Sequence, residues 1–385
     1  LKQKNQRLTG NKQIEMKKII LLSILLSGLS AAAQFGTGNL VVYRVGDGSA
    51  TLTSAATPVF LDEYTTTGTL VQSIPMPVTV LGSNRRITAS GTATSEGYLS
   101  RSGDGQYLLV PGYDAAVGTA SITSSAGTTI NRIVGRMNAT AVLDATTALT
   151  DFSSAGNPRS VISTNGTDLW LCGSQGGVRY TTYGSTTSTQ LSITVTNIRG
   201  IVISGGQLYT STGSGAIRVA TVGAGIPTTS GQTITNLPGF PTTGSPYGFF
   251  LADLDASVPG DDVLYVADDA APGFQKYSLV AGSWVANGNI SVSGNALRGL
   301  TAEVSGTTVT LYGTTPSGIQ KLVDATGYNA TISGTVTTIA TATTNTAFRG
   351  IAFTPQSSAT PSLSISSPLT AFGNICLNTE AGPNS

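Results

Sequence analysis

Two groups of residues have chemistry to offer. The first is acidic. The segment "DLDASVPGDDVLYVADD", residues 253–269, holds Asp253, Asp255, Asp261, Asp262, Asp268 and Asp269. Hard cations such as calcium take carboxylate and carbonyl oxygens, and a D-x-D turn supplies them. The segment lacks EF-hand spacing and the closing Glu, so three readings stay open. They are a calcium site on Asp253, Asp255, Asp261 and Asp262, a carboxylate pair for glycoside hydrolysis, and a turn whose aspartates cap backbone N–H groups.

The second group is basic. An apolar-Arg-Gly-apolar element recurs as Ile198-Arg199-Gly200-Ile201, Leu297-Arg298-Gly299-Leu300 and Phe348-Arg349-Gly350-Ile351. Looser copies are Pro158-Arg159-Ser160-Val161, Pro246-Tyr247-Gly248-Phe249 and Ser95-Glu96-Gly97-Tyr98. If the copies are equivalent, the slot residues Glu96, Arg159, Arg199, Tyr247, Arg298 and Arg349 form a ring. Guanidiniums so gathered would bind an anion or a carboxylate. The competing reading is that each Arg pairs with a carboxylate or carbonyl of the neighbouring unit.

Absences narrow the chemistry further. The chain has no His, which removes Ser-His-Asp and Cys-His catalysis and every His-containing metal site. Two cysteines cannot build a structural zinc site. Cys172, in "DLWLCGS", reads as a small buried hydrophobe, and a disulfide to Cys376 would need an oxidising compartment. "GTGN" at 36–39 lacks the Lys of a phosphate loop. "SRSGDGQYLLV" at 100–110 fits a turn at Asp104-Gly105 better than an Asp-box, whose Thr-Trp is missing. A non-catalytic role is favoured.

The elements that must hold these residues are strands. Charged residues make up 10% of the 385 and apolar residues 39%, enough for a core and too little charge for charge-driven disorder. Thr and Val favour strands, and Gly, Asn, Asp and Ser punctuate turns. The slot residues recur at intervals of 40 to 63 residues. Each slot strand is followed by a second strand such as "DLWLCG" or "VLYVAD" and a third such as "GVRY" or "GIQKL". A Thr/Ser-rich fourth such as "GTVTTIA" closes the unit. Four strands per unit is the period of a β-propeller blade. The N-terminal text supplies three strands ("GNLVVYRVGDG", "PVFLDEYT", "GTLVQSIPM") and 345–356 supplies one. The expectation is six four-stranded blades, one closed by strands from both chain ends, within 34–356. Seven is the alternative if the long 96–159 interval hides another blade.

Flanking text differs. "MKKIILLSILLSGLSAAAQ", 16–34, has a basic start, a short apolar run and a small-residue cleavage pattern, so 1–33 reads as upstream residues plus a secretory signal peptide. Six of the 20 basic and one of the 19 acidic residues precede residue 34, leaving a net charge of −4 and no basic stripe for nucleic acid. Residues 361–385 read as the start of an Ig-like domain, too short to bury a core of its own.

"GNLVVYRVGDG…TPVFLDEYTTTGTLVQSI", "LYVADD" and "GIQK" resemble a group of uncharacterised secreted bacterial propeller-like proteins with appended Ig-like or sorting modules. The resemblance implies location and fold and no agreed activity. The expected function is a monomeric, non-catalytic extracellular or cell-surface module for adhesion or ligand binding, a glycan being one candidate ligand. The alternative is a metal-dependent extracellular hydrolase or lyase. No cofactor is expected beyond the calcium of the first reading.

Overall fold

The computed structural model describes residues 34–292 and 296–357. The residues read as a signal peptide, Cys376 and the segment read as the start of an Ig-like domain lie outside them. Among the described residues there are 25 strands and one short 3-10 helix, Ile122–Ser124. No helix there is long and apolar enough to cross a membrane.

The strands form four antiparallel four-stranded sheets and one sheet of nine strands. The four-stranded sheets begin with Pro158–Ser163, Ile198–Ser204, Pro246–Ala252 and Gly299–Ser305, and their strands lie side by side in chain order. Apolar clusters fill the gaps between successive sheets. Trp170, Cys172 and Val178 meet Ile198, Leu208 and Ala220, and Tyr265 and Phe274 meet Val309, Leu311 and Leu322. A strand buried on both faces needs no alternation, and Val263–Asp268 is buried throughout. Cys172 is one such core residue, and burial pushes its thiol up to about 12.

The expected closure is present. Leu40–Val45 pairs on one side with Ala56–Tyr64 and on the other with Ala347–Phe353, running from Leu40 opposite Phe353 to Val45 opposite Ala347. Beyond the pairing, the Thr354 amide donates to Asn39 O at 2.9 Å and its hydroxyl to Gly36 O at 2.8 Å. The Gln356 amide donates to Gly105 O at 2.8 Å.

The sheet count departs from the expected six, and from seven. Ala56–Tyr64 is nine residues long, and its first three, Ala56 to Pro58, run past the closing strands to pair with Thr88–Ser90. That short strand touches Tyr107–Tyr113 through Thr88 opposite Tyr113. Hydrogen bonding therefore continues from Ala347–Phe353 to Leu143–Leu149, joining what the repeat presents as two blades. The two halves also face each other across a core of Tyr43, Leu61, Leu108, Val110 and Ile133. The extra length of the 96–159 interval lies in the loop between Tyr107–Tyr113 and Arg132–Asn138, which carries the 3-10 turn and no further sheet. Two outer strands are shorter than their text suggests, Thr189–Gln190 having two residues and Ile234–Asn236 three, whereas the outer strand Ser283–Ser291 has nine. Short edge strands offer little template for pairing with another chain.

One charge pair is fully enclosed. Lys276 Nζ lies 2.8 Å from Asp324 Oδ2, with Thr326 Oγ1 at 2.7 Å and Gly327 O at 2.6 Å. The Tyr265 hydroxyl donates to the same Asp324 oxygen at 2.7 Å. Burial pushes the Asp324 carboxyl up, but the bonds from Lys276, Thr326 and Tyr265 outweigh it and leave it below the usual range.

Deleting residues 345–356 would strip Leu40–Val45 of one partner. The variant should be insoluble or unfolded, checked by size exclusion and circular dichroism; a soluble product of unchanged stability would refute the closure. Lys276→Met should cost about 3–5 kcal/mol in urea unfolding, since it strands a buried carboxylate. Because the folded pKa of Asp324 is depressed, its contribution is present above the ordinary carboxylate range and is lost as pH falls through the folded value. In Lys276→Met burial raises the Asp324 carboxyl with no ammonium to offset it, so the gap from wild type should begin to narrow above about pH 4, as the stranded carboxylate takes up a proton, and go on narrowing below it.

Candidate functional site: the channel and its arginine end

The first strand of each unit lies innermost. Segments 98–103, 200–203, 248–250, 299–302 and 351–353, with Ser160 and Ile162, together line a central cavity of about 370 Å³. At the start of each inner strand, neighbouring backbones come into close contact. The Gly248 amide donates to Arg298 O at 2.8 Å, the Gly350 amide to Gly97 O at 3.0 Å and the Tyr98 amide to Arg159 O at 2.9 Å.

This contact explains the glycine of the Arg-Gly element. A Cβ on Gly200 would lie 2.7 Å from Tyr247 O, one on Gly248 2.7 Å from Arg298 O, and one on Gly299 2.8 Å from Arg349 O. One on Gly350 would lie 2.5 Å from both Gly97 O and Tyr98 Cα. Each unit's glycine therefore admits the slot carbonyl of the next unit.

The same contacts correct the first unit by one residue. Gly350 meets Gly97, so Gly97 occupies the slot and Tyr98 stands where the other units have Gly or Ser. Glu96 lies outside the ring, buried, accepting bonds from the Ser90 amide, Tyr113 Oη and Asn157 Nδ2. Burial pushes its carboxyl up, against those bonds and the charge of Arg349.

The structure does bring Arg159, Arg199, Tyr247, Arg298 and Arg349 together, about a residue that the sequence reading passed over. Tyr98 is 6% exposed, lies 6.1 Å from the Tyr247 ring between centroids, and its hydroxyl is buried without a hydrogen-bond partner. Burial holds that hydroxyl far above its usual range, against the pull of Arg298, Arg159 and Arg349. The guanidiniums of Arg199 and Arg298 lie 4.4 and 4.9 Å from the centre of the Tyr247 ring, a cation–π arrangement.

Their polar bonds go mostly to neighbouring units. Arg159 Nη1 donates to Asn197 Oδ1 at 2.7 Å and Ile198 O at 2.8 Å, and its buried Nε has no partner. Arg349 donates to Ala93 O and Gly91 O at 3.2 and 3.0 Å. Arg298 pairs with Asp269 at 2.8 Å and bonds Thr94, and Arg199 bonds Ser245. Burial holds Arg159 and Arg349 below the usual guanidinium range.

The acidic segment is organised differently. Asp262, buried, accepts the Leu254 and Asp255 amides at 2.9 and 2.6 Å. Asp255 accepts the Ser257 amide and hydroxyl at 2.9 and 2.7 Å, which hold it below the usual range. Burial pushes Asp261 up, and the charges of Asp253 and Asp262 add to this. Among the described residues no three His, Cys, Asp or Glu side chains converge as a metal-holding group. Asp268 accepts the amides of Ser245, Ala270 and Ala271. At Asp104-Gly105 the chain makes the expected turn, with the Gly105 amide on Ser102 O at 2.8 Å.

No protein-family model matches the chain, and no curated protein matches it. Solved structures similar to it include TolB from Acinetobacter baumannii, at 9% identity over 83% of this chain and 67% of that one, with a TM-score of 0.47. A periplasmic gluconolactonase of Pseudomonas aeruginosa matches at 13% identity over 74% and 79%, with a TM-score of 0.42. A Lactobacillus plantarum protein matches at 12% over 82% and 99%, with a TM-score of 0.44. At these values the likenesses carry no functional weight.

Gly350→Ala should test the contact ring. With backbone atoms of Gly97 and Tyr98 in the way, the variant should lose about 1–3 kcal/mol or more in thermal or urea unfolding. Wild-type stability would show that the inner strands are not held this closely.

Proposed function

We propose that the protein is a secreted or cell-surface binding module that acts without catalysis and holds its ligand in the central channel. The observation that carries this is the lining of the cavity. It is concave, reached by every inner segment, and of the size that small-molecule sites have. Its titratable side chains are Tyr98 and Arg101 alone; no carboxylate or cysteine lines it. General acid–base hydrolysis asks for groups that titrate near the working pH, and Tyr98, with its hydroxyl held far up by burial, is not one. The location rests on the signal-like N-terminal text and on the resemblance to secreted propeller-like proteins.

A ligand screen over glycans and small organic acids, with product analysis in parallel, tests the reading. Thr301 lines the cavity and is only half-buried, so Thr301→Trp should fill the space at little cost to the fold. Compounds that bind the wild type should be recovered unchanged and should lose at least about tenfold in affinity with Thr301→Trp, the scale of a lost apolar contact of about 1.4 kcal/mol. Turnover products, or binding that ignores the Trp, would sink the proposal.

A further inference from the structure

We infer that Gln34 is a modification site: once the signal peptide is cut off, the new Gln34 amine closes on its own side-chain amide and caps the chain with a pyroglutamyl ring. The inference rests on the secreted reading of the N-terminal text, which puts the cut after Ala31-Ala32-Ala33.

The contacts show where the fold takes hold of the chain. Phe35 is 5% exposed and packs in the core of Tyr43, Leu61 and Ala352. Its amide donates to Ala139 O at 3.0 Å. The Gly36 amide donates to Glu63 Oε1 at 2.8 Å, and Gly36 O accepts the Thr354 hydroxyl. Gln34 stands just outside this anchor and is exposed. Its carbonyl accepts the Gln72 side chain at 2.9 Å, and its own side-chain amide makes no hydrogen bond among the described residues. A cut before Gln34 therefore leaves an end flush with the fold, and nothing in the fold holds the side-chain amide away from the new amine.

The chemistry needs no cofactor. Hydrolysis of the Ala33–Gln34 bond by a signal peptidase consumes one water and frees the amine. An α-amine titrates near pH 8, so roughly a tenth of it is the nucleophilic free base at pH 7. It attacks Cδ of the same residue. The N–Cδ bond forms, the Cδ–Nε2 bond breaks, and one amine proton leaves with Nε2 as ammonia. Both groups belong to one residue, so the step is intramolecular and gains from proximity. The product keeps the Gln34 carbonyl and with it the bond from Gln72, and it lacks a terminal charge. An aminopeptidase needs a free amine to begin. The cap thus shields Phe35, which shares its core with Ala352 of the closing strand.

The test is mass spectrometry of the N-terminal peptide from the full chain exported by a bacterial host. An amine label is applied to the intact protein before digestion, so that ring closure during work-up is not counted. The wild-type peptide should begin at residue 34, weigh one ammonia less than its sequence and carry no label. Gln34→Ala, at an exposed position whose bond to Gln72 runs through the main chain, should begin at the same residue with a labelled amine. An aminopeptidase should shorten that variant and leave the wild type intact until a pyroglutamyl peptidase has removed the cap. A wild-type peptide that starts at Gln34 with a labelled amine would overturn the cyclisation and leave the secreted reading standing. One that still carries residues 16–33 would overturn the secreted reading as well. Wild type trimmed as fast as Gln34→Ala would overturn the shielding.

Discussion

A sheet that is apolar on both faces cannot stand at the end of a row. Each four-stranded unit here buries one face against the unit before and the other against the unit after, so the arrangement is stable only if it closes. The pairing of Leu40–Val45 with Ala347–Phe353 is where it closes. On the closing strand Ala352 joins the core shared with Tyr43 and Leu61, while Phe348 and Ile351 pack with Leu40, Tyr312 and Ile319. One short strand thus serves two interfaces. Such non-local pairing pays its loop-closure entropy before any contact rewards it. The extra bonds from Thr354 and Gln356 keep that strand in place once it has docked.

Closure also dictates the inner rim. Strands converging on one axis run out of room, and the space is found by omitting side chains. Gly200, Gly248, Gly299 and Gly350 are the positions where this happens, and at each the missing Cβ makes way for the backbone of the next unit. The slot residue before each glycine, Arg199, Tyr247, Arg298 or Arg349, is then placed at the equivalent point of its strand. Repetition of Arg follows from repetition of the fold, and its bonds to neighbouring carbonyls brace the rim. Only where those bonds leave donors unused, at Arg159 Nε, and where a side chain returns, at Tyr98, does the rim acquire properties of its own.

What the sequence made legible follows from this geometry. The Arg-Gly element could be read because a steric requirement recurs at every joint, and the end-to-end closure because the missing strands of one terminus are supplied by the other. The Asp-rich segment could be read as turn chemistry, since Asp262 and Asp255 bond amides a few residues away. Three features were hidden. The register of the first unit slipped by one residue because Gly97 imitates the Gly of the pattern while standing in the slot, with Tyr98 in the glycine's place. The continuation of Ala56 to Pro58 onto Thr88–Ser90 rests on backbone bonds that no side-chain period announces. Two outer strands, Thr189–Gln190 and Ile234–Asn236, end early because their Thr and Ser, half in water, bury too little to hold a longer ladder.

Tyr98 has a topological consequence. A ring of sheets around an axis is by construction a tube, open at both ends. A single phenol at a position otherwise given to Gly or Ser, reaching the Tyr247 ring, puts at one end of the tube a side chain that the other joints lack. The two faces of the disc then cease to be equivalent.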